Sequence, residues 1–190
     1  MISPTSSLGG DVDNKAETSA FEPRLAGIVF GLGFDIDRFL SDVITRLRQD
    51  PIRLAGVIQK IGSENTQSPR NLLLHGLRGG WELPILQDRG HGARGCRLDA
   101  GALAEAAARL DTAFSEPIDL LVINRFGRAE SEGHGLRNIF ERAAADGIPL
   151  LVGVREDYED VWKAFHGGLG TELYPESAAV LRWWRAVGQA

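Results

Sequence analysis

Residues 118–124 read IDLLVIN, a nearly unbroken apolar run of strand length. A strand with an apolar side chain at almost every position has no face to give to water, so its sheet must be covered on both sides. PLLVGV (149–154), LAGIVF (25–30) and RLAGVIQ (53–59) are further short apolar runs, and segments of helical periodicity lie between them. After LAGIVF, the residues Ile36, Phe39, Leu40, Val43, Ile44 and Leu47 fall on one helical face, with Asp35 placed as N-cap. Asp99 caps a second helix over 100–114; further helices are predicted over 135–145, 157–166 and 176–187. Two shorter runs, NLLLHGL and WELPIL, flank RGG and read as a hairpin or antiparallel edge. This alternation specifies an α/β fold: a three-layer domain with a mainly parallel sheet and one antiparallel strand pair.

A length of 190 residues suits one domain. Residues 1–23 are small, polar and aperiodic, and read as a flexible tail before a single domain over 24–190. A net charge of -5 and a pI near 5.4 argue against nucleic acid as a partner. One cysteine, Cys96, allows no internal disulfide, and no segment has the roughly 20 apolar residues of a membrane span. A cytoplasmic protein is the expectation. Arginine greatly outnumbers lysine, which favours forked recognition of oxyanions and carboxylates wherever the arginines converge.

In a mainly parallel sheet, ligands sit at the carboxyl ends of the strands. That rim carries the loops at 31–35, 60–70, 124–134 and 154–157. In GIVFGLGFDID, Gly31 and Gly33 precede a helix and form a candidate backbone cradle for an anion, but the lysine and hydroxyl of GxxxxGK[ST] are absent. Asp35 and Asp37 put negative charge at the same point, so a plain tight turn with an aspartate cap is the competing reading. In LVINRFGRAESEGHGL, the strand ends in Asn124 and Arg125, where a magnesium-dependent nucleotide hydrolase carries a carboxylate. No magnesium site is evident and no cofactor is specified. Instead Arg125 and Arg128, with His134 and Arg137 nearby, gather positive potential suited to a small anion or phosphorylated ligand, with Asn124 as a polar orienter; Glu130, Glu132 and Asp119 could neutralise them as ion pairs. QDRGHGARGCRLD adds Arg94 and Arg97, beside Arg89, His91 and Cys96, on a glycine-rich loop. Trp162, Trp183 and Trp184 read as core, or as a homodimer surface.

LLVINRFGRAESEGHGLR, AAADGIPLLVGV, WKAFHGGLGTEL, GCRLDAGALAEAAARL and AGVIQ together resemble the bacterial family catalogued as domain of unknown function twenty-four seventy-eight, over about Leu25 to Trp184. The resemblance implies a fold similar to THEP-type nucleoside triphosphatases of the P-loop class and an association with molybdate uptake. Asn124, Phe126, Gly127 and Glu130 fall on the family's NKFGKxE-like stretch, with Arg125 and Arg128 in place of lysines. The expectation is a catalytically degenerate P-loop-like protein that binds an oxyanion or phosphorylated ligand in molybdenum handling. The alternatives are a nucleoside triphosphatase using Glu130 or Glu132, and a protein-interaction module.

Overall fold

The structure, a computed structural model, describes residues 23–62, 72–86 and 98–188. Its sheet has seven strands: β1 (Leu25–Phe30), β2 (Leu54–Ile61), β3 (Leu72–Gly76), β4 (Glu82–Pro84), β5 (Leu120–Phe126), β6 (Leu150–Arg155) and β7 (Gly170–Leu173). The helices are α1 (Ile36–Leu47), α2 (Ala100–Ala113), the single turn α3 (Arg128–Ser131), α4 (Arg137–Ala145), α5 (Glu159–His166) and α6 (Ser177–Gly188), with a 3-10 turn at Glu156–Tyr158. The strand order is β4-β3-β2-β5-β6-β1-β7. β3 is antiparallel to β2 and to β4, whereas the other pairings are parallel.

The alternation within β5 shows why three layers form. Leu120 and Val122 point to one face, where they join Ile36, Leu40, Val43 and Ile44 of α1 and Val180, Trp183 and Val187 of α6. Leu121 and Ile123 point to the other, against Ala106 and Leu110 of α2, Ile139 and Phe140 of α4 and Trp162 of α5. Both faces are dry, so the strand reads as an apolar run. Trp162 is fully buried among Phe126, Phe165 and His166, and Trp183 lies in the α1/α6 layer with its indole nitrogen donating to the Pro23 carbonyl. These two tryptophans serve the chain's own core.

The expected aspartate caps are formed. Asp35 accepts from the Arg38 amide at 3.0 Å, and Asp99 from the Gly101 and Ala102 amides at 2.8 and 3.1 Å. β7 is a strand where the sequence suggested only a link, HGGLGTELYPE. Its four residues lie beside β1, and the buried His166 holds the approach by accepting the Gly168 and Gly170 amides on Nδ1. One glycine fixes the sheet's centre. Gly56 has φ +124°, and a Cβ there would collide with the Val122 carbonyl of the neighbouring strand.

At the amino end, β2 and β5 are tied by Arg53 and Asp119. The Asp119 carboxylate accepts the Arg53 amide at 2.7 Å and its guanidinium, while the Asp119 amide donates to the Arg53 carbonyl. The guanidinium hydrogen bond holds the Asp119 carboxyl below its ordinary pKa. A depressed acid contributes stability above its unfolded pKa of about 3.9, which is lost as pH falls through the folded value. Asp119→Asn is therefore expected to be less stable than the wild type at neutral pH, with the gap closing below about pH 4. Urea melts at several pH values check this; a gap that does not change with pH would contradict it.

Candidate functional site

The carboxyl end of β5 is irregular. Ile123 pairs with Val152 but Phe126 pairs with Val154, so β5 carries one extra residue across that interval. Such a bulge breaks the alternation and re-aims side chains, as often happens beside functional sites. Here it turns Asn124 and Arg125 toward the first turn of α1. Asp37 receives them both: Asn124 Nδ2 donates to Oδ1 at 3.0 Å, and Arg125 Nη2 donates to the two carboxylate oxygens at 3.2 and 3.1 Å. Gln59 of β2 adds a third donor, its Nε2 lying 3.0 Å from Asp37 Oδ2. One carboxylate thus joins α1, β2 and β5. Arg125 is half-exposed, so the ion pair itself contributes about 0–1 kcal/mol and acts mainly by positioning.

Gly31 and Gly33 lie in a tight turn between β1 and α1. Gly33 takes φ +87°, the Phe34 amide donates to the Gly31 carbonyl, and Asp35 takes the Arg38 amide. The chain leaves β1 toward the α1 face and leaves β6, its neighbour, toward the α5 face, so the crevice of a doubly wound sheet opens between them. Glu156, an exposed residue, stands beside it: a Cβ on Gly31 would lie 3.1 Å from Glu156 Oε2. Asp35, Asp37 and Glu156 surround the turn with acid, which disfavours an anion there.

The arginines meet elsewhere. A cavity of about 350 Å³ opens at the carboxyl ends of β2, β5 and β6 on the α2 side. Its polar lining includes Gln59, Asn124, Arg125, Arg128, Arg155 and Tyr158, and its apolar walls include Val57, Leu74, Ile85, Leu103, Ile123 and Leu136. Arg128 Nε donates to Glu132 at 2.7 Å, a bond that holds the guanidinium above its ordinary pKa, and Arg155 pairs with Asp157. Each fork has five donors, so these pairings leave both arginines donors to spare for a ligand. The side chains of Arg128 and Arg155 are 80% and 50% exposed, at the mouth; Asn124 is 4% exposed, at the back.

Glu130 is not placed as a metal ligand or base. It is buried and accepts the Gly127 amide on Oε2 at 3.0 Å and the Leu136 amide on Oε1 at 3.1 Å, clamping both ends of the loop that forms one wall. Arg137 lies outside the cavity lining, paired with Glu141 and set over the Phe165 ring, and His134 lines a neighbouring surface groove. Arg94 and Arg97, with Arg89, His91 and Cys96, lie outside the described residues. Sequence reasoning missed Arg155 as an individual residue, although its strand-end position was the available signal. It also missed that Asp37 organises Asn124 and Arg125, because residues 87 positions apart carry no local mark of contact. Among the described residues, no group of three His, Cys, Asp or Glu is placed to hold a metal, and no helix is long and apolar enough to cross a membrane.

Residues 25–183 match the family described as protein of unknown function (DUF2478). The chain belongs to that family. It is also 35% identical over 162 residues to the molybdenum import ATP-binding protein ModC 2 of Bradyrhizobium diazoefficiens, a match that takes in 85% of this chain and 18% of that protein. The DUF2478 chain therefore spans less than a fifth of this relative's length. Among solved structures, a human cancer-related nucleoside triphosphatase superposes with a TM-score of 0.58 at 13% identity, covering 80% of this chain and 88% of its own. That likeness establishes the fold, a three-layer P-loop-NTPase-like α/β domain.

The clamp role of Glu130 is testable. Glu130→Ala leaves two buried amides without an acceptor and is expected to cost about 2–3 kcal/mol, and Glu130→Gln, with one acceptor oxygen, about half as much. Denaturant titration checks both; an unchanged midpoint in Glu130→Ala would contradict the clamp.

Proposed function

We propose that this DUF2478 chain is a non-catalytic binding domain that holds an oxyanion or phosphorylated ligand and serves in molybdenum handling. The observation that carries the proposal is the cavity at the carboxyl ends of β2, β5 and β6, lined by Arg125, Arg128 and Arg155. Molybdenum enters through the relative, whose name assigns it to molybdenum import.

The chemistry follows from a change of charge at one place. A magnesium-dependent NTPase sets a carboxylate at the strand end to hold the ion's water shell, and the ion neutralises the phosphates. Here the strand end carries Asn124 and Arg125, and the carboxylate, Asp37, stands across on α1. The guanidinium supplies a fixed positive charge in that neighbourhood, and Asp37 orients it. Arg128 and Arg155 add two more cations at the mouth. This arrangement can bind an anion without a divalent ion. Among the described residues, the two carboxylates of this loop are occupied, Glu130 by backbone amides and Glu132 by Arg128. Arg94 and Arg97 are proposed as further anion contacts, whereas Gly31 and Gly33 are left out because acids flank their turn.

A thermal-shift titration with phosphate, molybdate, GTP and ATP tests this reading. A true ligand at a hundredfold excess over its dissociation constant stabilises by about 2.7 kcal/mol, with or without magnesium. The double variant Arg128→Ala/Arg155→Ala is expected to fold and to lose most of that stabilisation. An undiminished shift in the variant would remove this cavity from consideration, and magnesium-dependent phosphate release would favour a hydrolase.

A further inference from the structure

We infer that the ligand of this cavity is an organic molecule, with a hydrogen-bond donor on a compact ring body and an anionic group beyond it, not a bare tetrahedral oxyanion. The inference rests on the binding reading above and narrows it.

The orientation of Asn124 is decided by its neighbour. Asp37, paired with Arg125, is acceptor-only, so the amide nitrogen must face it; the flipped rotamer would set oxygen against oxygen. Asn124 Oδ1 therefore points away from Asp37, and it is buried with no hydrogen-bond partner among the described residues. The other orphaned buried polar atom, the Trp162 indole nitrogen, lies in the aromatic core. An unsatisfied buried acceptor in a residue that lines a cavity calls for an N–H or O–H from a ligand. Oδ1 is closed to water in the ligand-free chain, so the donor must belong to a group that parts the side chains around it. Molybdate at neutral pH is fully deprotonated and offers acceptors only; phosphate keeps an O–H there, but its charge would repel the amide oxygen.

Size and polarity lead to the same ligand. A five-atom oxyanion held by Arg128 and Arg155 at the mouth would leave most of about 350 Å³ unfilled, and the part-exposed aliphatic lining of Leu72, Leu98 and Leu103 uncovered. Cavities of this size and lining suit small organic ligands, with a few polar groups fixing orientation. A ring that donates to Asn124, packs between those aliphatic walls and extends a phosphate or carboxylate to the arginines meets all three demands. Phosphorylated nitrogen heterocycles have this chemistry.

Calorimetric titration of the full chain tests it with guanosine, inosine and uridine monophosphates, inorganic phosphate and molybdate as probes. At least one of the three monophosphates is expected to bind at least about tenfold more tightly than phosphate or molybdate, a ranking that needs no variant. Asn124→Leu, which removes the acceptor together with the donor to Asp37, should weaken that monophosphate by about tenfold or more and inorganic phosphate by a smaller factor. Phosphate or molybdate binding as tightly as every monophosphate, with loss in Arg128→Ala/Arg155→Ala, overturns this inference but keeps the anion site. Monophosphate binding that is indifferent to Asn124→Leu also overturns it. Absence of saturable binding by every probe overturns both.

Discussion

The site depends on one carboxylate. Asp37 stands in the first turn of α1 and accepts from Gln59 on β2 and from Asn124 and Arg125 on β5. Three elements distant in sequence converge on two oxygen atoms. Without Asp37, the bulge in β5 would leave Arg125 free to sample many rotamers, and the Asn124 amide could turn either way. Its energetic value as an exposed ion pair is small, about 0–1 kcal/mol. Its geometric value is larger, because it decides which end of the Asn124 amide faces away from α1.

The same carboxylate underlies the proposed difference from nucleotide hydrolases of similar fold. In those enzymes the glycine turn after the first strand receives phosphate, and the helix start must be free of acid. Here Asp35 caps the helix, Asp37 follows it and Glu156 packs against Gly31, so negative charge occupies the usual entrance. The positive groups lie on the α2 side of the sheet, beyond the end of β5. The proposed binding surface is accordingly the cavity beside β2 and β5, away from the crevice between β1 and β6.

Much of the fold was legible in the chain because the strands are buried on both faces and their composition shows it. β5, β6 and the caps at Asp35 and Asp99 lie where apolar runs and capping residues predict them. β7 was not legible, because four residues between glycines carry no periodicity and become a strand only by lying beside β1. At the site, the bulge residues Asn124 and Arg125 stood out through the residue types at a strand end. The turn at Gly31 and Gly33 left two readings open, and the proximity of Glu156 to Gly31 carries no mark in the sequence. Arg155 and Gln59 carry nothing local that distinguishes them from other polar residues at strand ends. Their role appears only once β2, β5 and β6 are set side by side.

The most direct test is to follow the protein by nuclear magnetic resonance as guanosine monophosphate is added, observing backbone amides together with arginine side-chain Nε–H groups. Binding at the cavity predicts that the side-chain signals of Arg125, Arg128 and Arg155 and the amide of Asn124 shift saturably, while the amides of Gly31 to Asp35 stay in place. Shifts centred on Gly31 and Gly33, with the three arginines unmoved, would return the ligand to the glycine turn and contradict the account.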